Sequence, residues 1–260
     1  MSRLPVASQA AAALLLAAAC ATVPPAPPRE DSVLANLVGP DAARDTLRGL
    51  ANVRVQGPQG GASFAQVVVV DLPDRARLEA QSAVGTTAVV LTLRGEELRY
   101  HSYLRHEYAA VPAGRESLER LAGIAVPPGP LLRLLLGLSP LPLRREDPRV
   151  TMQPDGEGFR VESVDGRLWQ RLWTDRQGFL ERGELGEAGE TLVAFSLADR
   201  RPVDGLLFPF RLVVEQPGGA RRLSLTYESL RLNEPIPGDL FELPRPTDGR
   251  TRILEPPGGR

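Results

Sequence analysis

The chain has 260 residues, with 31 basic and 32 acidic side chains, a formal net charge of −1 and a single cysteine. A nearly neutral chain lacks the positive charge that binding to a nucleic acid requires, so we predict no nucleic-acid partner. One cysteine excludes an intrachain disulfide, and a domain of about 200 residues is long enough to be stabilised by a hydrophobic core alone.

The N-terminal segment is typical of a secreted precursor. An apolar stretch covers residues 10–19 and is followed at once by Cys20. It is about ten residues long, whereas a helix needs roughly 20 to span a bilayer, and a short apolar core ending in small residues is typical of a signal peptide. Leu16–Cys20 resembles a bacterial lipobox, which implies removal of residues 1–19 and a lipid on the Cys20 sulfur. Ala21 after the cysteine resembles an outer-membrane sorting signal. An ordinary signal peptide with an incidental cysteine is the alternative.

The segment after the cysteine changes in composition. Residues 20–40 are rich in proline, which favours an extended, semi-rigid tether. A short helix is predicted from Asp41, which can cap it, to Gly49. We predict one domain over residues 41–245 and a flexible tail, rich in proline, glycine and charge, over residues 246–260.

Short alternating segments separated by turn residues predict strands after Gly49. Two helices interrupt the series: Arg115–Gly123, with Leu118, Leu121 and Ala122 on one face, and the short apolar Leu131–Leu136. The predicted strands are Asn52–Gln56, Ser63–Asp71, Arg75–Ser82, Thr87–Arg94, Glu97–Leu104, Glu107–Val111, Gly158–Val164, Arg167–Thr174, Phe179–Glu184, Thr191–Ala198, Pro209–Gln216 and Arg221–Leu230.

These elements predict a mainly β (α+β) fold. Short connections between consecutive strands favour an antiparallel meander. A sheet of about 11 strands must curl to avoid exposing an apolar face. We therefore expect a curved antiparallel sheet or half-barrel whose concave face is covered by helices.

The sequence offers no recognisable catalytic centre. His101 and His106 have no cysteine or carboxylate cluster beside them to complete a metal site. Neither a nucleophile elbow nor a phosphate-binding glycine motif occurs. We predict a protein that is not an enzyme and needs neither a metal nor a cofactor.

Several segments together resemble the LolA/LolB superfamily, and in particular LolB-like lipoproteins. The resemblance covers a strand–loop–strand unit, a pair of helices, the last hairpin and a closing segment similar to related lipoproteins of unassigned role. These segments are Arg77–Ala88, Ser117–Ile124, Leu132–Ser139, Phe208–Gly219, Leu223–Leu230 and Asn233–Phe241.

The resemblance implies a lipoprotein anchored at the periplasmic face of the outer membrane. It would bind acyl chains of lipoproteins or another lipid in an apolar cavity and transfer them to the membrane, with a LolA-like periplasmic carrier as a partner. It also implies a membrane-inserting residue on a loop between two strands, which by position is Val84. The family has leucine there after a proline, whereas this chain has Ala83 and Val84. A valine buries one methylene less, about 0.8 kcal/mol, so a simple exposed valine is the alternative.

Two strands support a cavity independently, because Val67–Val70 and Ala88–Leu91 are apolar on both faces. Two-sided core packing is the alternative. An envelope sensor or scaffold that binds a protein is the alternative function, since MucB-like regulators also resemble this fold. The candidate cavity residues are Phe64, Val68, Leu91, Leu118, Leu132, Leu135, Trp169, Trp173 and Phe195.

Overall fold

The computed structural model describes residues 30–254, apart from residues 59, 83, 145, 146 and 148. The predicted signal peptide and Cys20 lie outside the described residues. Three α-helices occur in the described part, namely α1 (Glu30–Ala43), α2 (Arg115–Ala122) and α3 (Pro128–Leu135). Short 3₁₀ turns cover Pro217–Gly219 and Gly238–Phe241.

Strands dominate the described residues, as predicted. They are β1 (Thr46–Gly57), β2 (Gly60–Asp71), β3 (Arg75–Gln81), β4 (Thr87–Arg94), β5 (Glu97–Ser102), β6 (Glu107–Pro112), β7 (Thr151–Asp155), β8 (Gly158–Asp165), β9 (Leu168–Thr174), β10 (Leu180–Glu187), β11 (Glu190–Val203), β12 (Leu206–Glu215), β13 (Arg222–Leu232) and β14 (Arg252–Leu254).

All the described strands belong to one curved, unclosed sheet. Its order is β14-β6-β5-β4-β3-β2-β1-β13-β12-β11-β10-β9-β8-β7. Neighbours along the chain pair antiparallel from β1 to β6 and from β7 to β13, and β1 joins these two halves by pairing with both β2 and β13. The predicted curved antiparallel sheet is confirmed, but it has 14 strands rather than about 11.

Twelve of the 14 strands overlap the predicted segments, and the other two, β7 and β14, have weak local signals. β7 contains Pro154 and is mostly exposed, and only its pairing with β8 defines it. β14 lies inside the predicted tail and pairs in parallel with β6, which is a contact between distant parts of the chain.

The prediction of a helix at residues 41–49 is wrong. Helix α1 ends at Ala43, and residues from Thr46 onward pair with β2 and β13. Val33 and Leu37 of α1 are buried in the core, although they fall within residues 20–40, the segment predicted as a tether. Tertiary burial stabilises this helix, since its sequence has no amphipathic pattern and contains Pro40.

One face of the sheet, which we call the inner face, packs against all three helices. Its side chains and those of the helices form the main hydrophobic core. The opposite, outer face carries alternating polar residues and is crossed by residues 234–245, which we call the C-terminal strap. Phe241 and Leu243 of the strap are buried, and Arg77, Arg99 and the Tyr108 hydroxyl donate hydrogen bonds to strap carbonyls.

Candidate functional site

An apolar cleft lies between the inner face and the segment that joins α2 to α3. Its lining comes from β1, β2, β3, β11, β12, β13 and α3, and includes Val53, Leu78, Leu135, Leu212 and Leu225. The water-accessible volume of the cleft is about 50 Å³. One water needs about 10–15 Å³ of such space, so the cleft has room for a few methylene-sized groups.

The inner face is filled beyond the cleft. Leu132, Leu134 and Leu136 are buried there, and Phe208 is fully buried with its ring edge-on to Tyr227. Side chains therefore occupy most of the space between sheet and helices, and the cleft is an opening left between them.

Polar groups hold the filled end of the helix layer in place. The Tyr227 hydroxyl donates to the Leu135 carbonyl at 2.8 Å. The Arg44 guanidinium donates to the carbonyls of Leu136 at 3.2 Å and Gly137 at 3.1 Å, and also to that of Leu207. The bonds to Leu135, Leu136 and Gly137 satisfy carbonyls that have no partner within α3 where it ends, and the bond to Leu207 ties this end to β12.

Two ionisable groups near this end are shifted by burial. Desolvation lowers the pKa of Arg44 to about 10. Desolvation also raises the pKa of the Asp41 carboxyl, although its ion pair with Arg133 at 2.7 Å opposes the shift. The side chains therefore form a buried polar cluster that fixes α1 against α3.

The cleft reaches the surface at a rim of partly exposed residues. Ile124 and Ala125 contribute from the segment after α2, and Gln216 and Arg221 from the turn between β12 and β13. The Arg221 guanidinium lies where a Cβ on Gly123 would be.

The predicted cavity residues separate into groups. Leu135 lines the cleft. Five others, namely Val68, Leu91, Leu118, Leu132 and Phe195, are buried in the surrounding core, and Phe64 is half-buried against it. The structure thus brings seven of the nine residues onto the inner side, where six of them pack around the cleft rather than line it.

The two tryptophans lie on the other side of the sheet. Trp169 and Trp173 share one face of β9, but the residues of β9 that enter the inner side are Gln170, Leu172 and Thr174. The Trp173 indole N–H donates to Asp155 at 3.0 Å, and the Arg182 guanidinium lies 4.2 Å from its ring centroid. The buried Gln170 explains the reversal, because its amide bonds to Leu141 and Ser163 hold a polar side chain on the apolar side.

The sequence reasoning missed most of the lining, although a local signal was present. Leu212 and Val214 on β12, and Leu223 and Leu225 on β13, are spaced two apart and line the cleft together. Since alternate residues share a face, this spacing could have identified a continuous apolar surface across the last hairpin.

Val84 lies in the loop between β3 and β4 and is 84% exposed. Antiparallel pairing puts this loop, the β5–β6 turn and the β12–β13 turn at the same end of the sheet, which is also the end with the cleft rim. Leu104 and Tyr103 of the β5–β6 turn are 71% and 45% exposed. The large exposed apolar side chains of two neighbouring loops therefore share this end.

Neither histidine joins a metal-binding group within the described residues. His101 is buried beside Tyr103 and Tyr108, and burial lowers its pKa. No group of three His, Cys, Asp or Glu side chains that could hold a metal occurs among the residues described. In the same part of the chain, no helix is long and apolar enough to cross a membrane.

No protein-family model and no curated protein sequence matches the chain. Solved structures do match its fold. A LolA superfamily protein from Nitrosomonas europaea superposes with a TM-score of 0.54 at 11% identity, covering 82% of this chain and 98% of that one. A DUF1329 family protein from Desulfovibrio piger gives 0.57 at 10% identity, with 82% and 96% covered.

A third match is a domain assigned to an outer membrane lipoprotein-sorting protein from Vibrio parahaemolyticus. It gives a TM-score of 0.53 at 11% identity and covers 82% of this chain and 96% of that one. The resemblance to the LolA/LolB superfamily is thus confirmed at the level of the fold.

Proposed function

We propose that this chain, which has the fold of LolA superfamily proteins, is an outer-membrane lipoprotein that binds an acyl chain in its inner cleft and transfers it at the membrane. The observation that carries the proposal is the apolar cleft, open at one rim, between the sheet and the segment after α2. Removal of apolar surface from water would drive binding without any need for charge along the tail.

The size of the cleft says how binding would occur. Burying about four methylenes contributes roughly 3 kcal/mol to the free energy of binding. A complex with a millimolar dissociation constant needs ~4 kcal/mol. Tighter binding therefore needs a longer path for the chain. Displacing α2 would provide one, because α2 buries only Ser117 and Leu118.

The binding test uses a chain carrying Cys20→Ser, which removes the predicted lipid attachment site, and a fluorescent fatty acid. Leu223 lines the cleft, and Ser224 is its neighbour on the outer face. We expect uptake by the parent, loss of uptake in Leu223→Trp, which fills the cleft, and retention in Ser224→Trp. A parent that takes up no probe, or two variants that bind equally well, would refute lipid binding in the cleft.

Anchoring and membrane contact are tested separately. Metabolic labelling with an alkyne fatty acid should modify the full chain and not its Cys20→Ser form, and density separation should place the labelled chain with the outer membrane. Val84 and Leu104 are the proposed contact residues at the rim end. In the Cys20→Ser form, Val84→Asp with Leu104→Asp should reduce vesicle binding, whereas the outer-face change Arg54→Asp should reduce it less. Equal vesicle binding by all three proteins would refute this contact.

A second candidate function is an envelope sensor or scaffold that binds a protein. The observation that favours it is the filled part of the inner side, where Leu132, Leu134 and Leu136 are buried. A stable protein complex that survives both delipidation and Leu223→Trp would support the scaffold. Transfer of lipid or lipoprotein from a LolA-like carrier, abolished by Leu223→Trp, would support the carrier.

A further inference from the structure

We infer that the cleft takes a single-chain amphiphile with an anionic headgroup, and that Arg221 binds this headgroup at the rim. The inference rests on the proposed function, because it assigns the head of the ligand whose tail would enter the cleft. It depends on Arg221, Gln216 and Gln66, the polar side chains among an otherwise apolar lining.

The backbone of Arg221 is fixed at the rim. The backbone N–H of Gln216 donates a hydrogen bond to the backbone carbonyl of Arg221 at 2.8 Å, which closes the turn between β12 and β13. From this point the side chain crosses to Gly123, so its guanidinium lies beside the opening between the turn and the segment after α2. A cation is therefore held where the head of a bound amphiphile would emerge.

The charge of Arg221 is not paired with an acidic side chain among the described residues. Its neighbour Arg222 pairs with Glu215, and Arg115 and Arg167 at the same end both approach Glu187. Arg221 makes no ion pair or side-chain hydrogen bond with any other residue that the structure describes. A guanidinium stays protonated and offers five donors, which suits a carboxylate or phosphate.

Gln66 is a second polar group without a partner in the cleft. It lies on the inner side of β2 opposite Ala51, among residues such as Val53 and Leu225. Its side-chain amide forms no hydrogen bond with the other described residues and is therefore open to a ligand or to water. The guanidinium of Arg221 at the opening matches the oxygen atoms of an anionic head, and it would repel a cationic head.

The test compares four ligands by calorimetry, below their micelle concentrations, on the Cys20→Ser chain. Laurate, dodecanol and dodecyltrimethylammonium share one chain length and differ in charge, and inorganic phosphate is an anion without a tail. One charge-assisted contact at a partly exposed rim is worth about a tenfold change in affinity. We expect laurate to bind about tenfold more tightly than dodecanol, the cationic amphiphile to bind most weakly and phosphate alone not to bind.

Three variants test whether Arg221 causes the preference for laurate over dodecanol. Arg221→Gln should remove the preference for laurate and leave dodecanol binding unchanged, and Arg221→Lys should restore part of the preference. Arg222→Gln is the matched control, since Arg222 is adjacent but paired with Glu215, and it should keep the full preference. Raising the salt concentration should reduce the difference in binding affinity between laurate and dodecanol, because salt screens the charge of Arg221.

The outcomes distinguish the two proposals. If laurate and dodecanol bind equally, or if Arg221→Gln weakens both to the same extent, the headgroup assignment is wrong and lipid binding stands. If the parent binds none of the three amphiphiles, both proposals fail together.

Discussion

Helices α2 and α3 cover neighbouring parts of the inner face but are held in different ways. α3 buries Leu131, Leu132, Leu134 and Leu135, and Tyr227 and Arg44 donate to the carbonyls where it ends. α2 buries Ser117 and Leu118. The helix layer is thus firmly attached at one end and weakly attached at the other.

The cleft opens at the weakly attached end, next to Ile124. Local opening needs less free energy where few apolar groups are buried, so a ligand that displaces a helix would displace α2 rather than α3. The difference shows how one small domain can combine a stable core with an adaptable cover. Four predictions test this comparison, starting with the largest expected effect.

Removing Arg44 should destabilise the attached end most. Arg44→Met leaves the carbonyls of Leu136, Gly137 and Leu207 without a donor, and we expect the free energy of unfolding to fall by about 3–5 kcal/mol. Urea denaturation measures this. The exposed Arg48 on the outer face is the control, and Arg48→Met should change stability by less than about 0.5 kcal/mol. Similar losses of unfolding free energy in both variants would contradict the role of Arg44 in attaching the end of α3.

The glycines that follow the two helices allow a matched test. Gly123 and Gly137 both have a left-handed backbone, with φ of 70° and 67°. A Cβ on Gly137 would lie 2.6 Å from a ring atom of Pro209, whereas the three atoms nearest to a Cβ on Gly123 belong to the end of the long Arg221 side chain, which can turn aside. We expect Gly137→Ala to cost about 2–3 kcal/mol and Gly123→Ala about 1 kcal/mol in denaturation experiments. The reverse order would be inconsistent with a rigid end at α3.

Hydrogen exchange should report the same difference without mutation. Amides of α2 should exchange at least about tenfold faster than those of α3, which corresponds to ~1.4 kcal/mol in opening free energy. Adding laurate should slow exchange in α2 and leave α3 unchanged. Equal protection of both helices in the free protein would remove the basis for α2 as the adaptable cover.

The smallest effect concerns pH. Burial raises the pKa of Asp41 above its usual value of 3.8, so the folded protein holds this proton more tightly than the unfolded chain. The associated stability is present below that value and is lost as the pH rises through the folded-state pKa. Relative to Asp41→Asn, the parent should therefore lose stability as the pH rises above 3.8, measured by denaturation from pH 4 to 7. A difference in unfolding free energy between the two proteins that stays constant with pH would show that Asp41 does not titrate in this range.

Much of the fold could be predicted from local signals. The predicted bounds of β4, Thr87–Arg94, agree with the structure, and those of β3 and α2 each differ from it by one residue. These elements are bounded by turn or capping residues such as Gly95 and Gly123. Local backbone chemistry alone sets such boundaries.

The site was less predictable, because its position depends on long-range packing. Alternation showed that Trp169 and Trp173 share a face of β9, but alternation cannot say which face points inward. That was decided by Leu172 and by Gln170, whose hydrogen bonds to Leu141 and Ser163 exist only in the folded chain.

The amino-acid sequence by itself determined the succession of hairpins and their interruption by an amphipathic and an apolar helix, because turn chemistry and periodicity act over a few residues. Only the tertiary structure decided that α1 is a helix, that β14 joins β6, and that the inner side is filled at one end and open at the other. Each of these depends on the burial of side chains by residues far away in the chain, and that burial carries no local signal in the sequence.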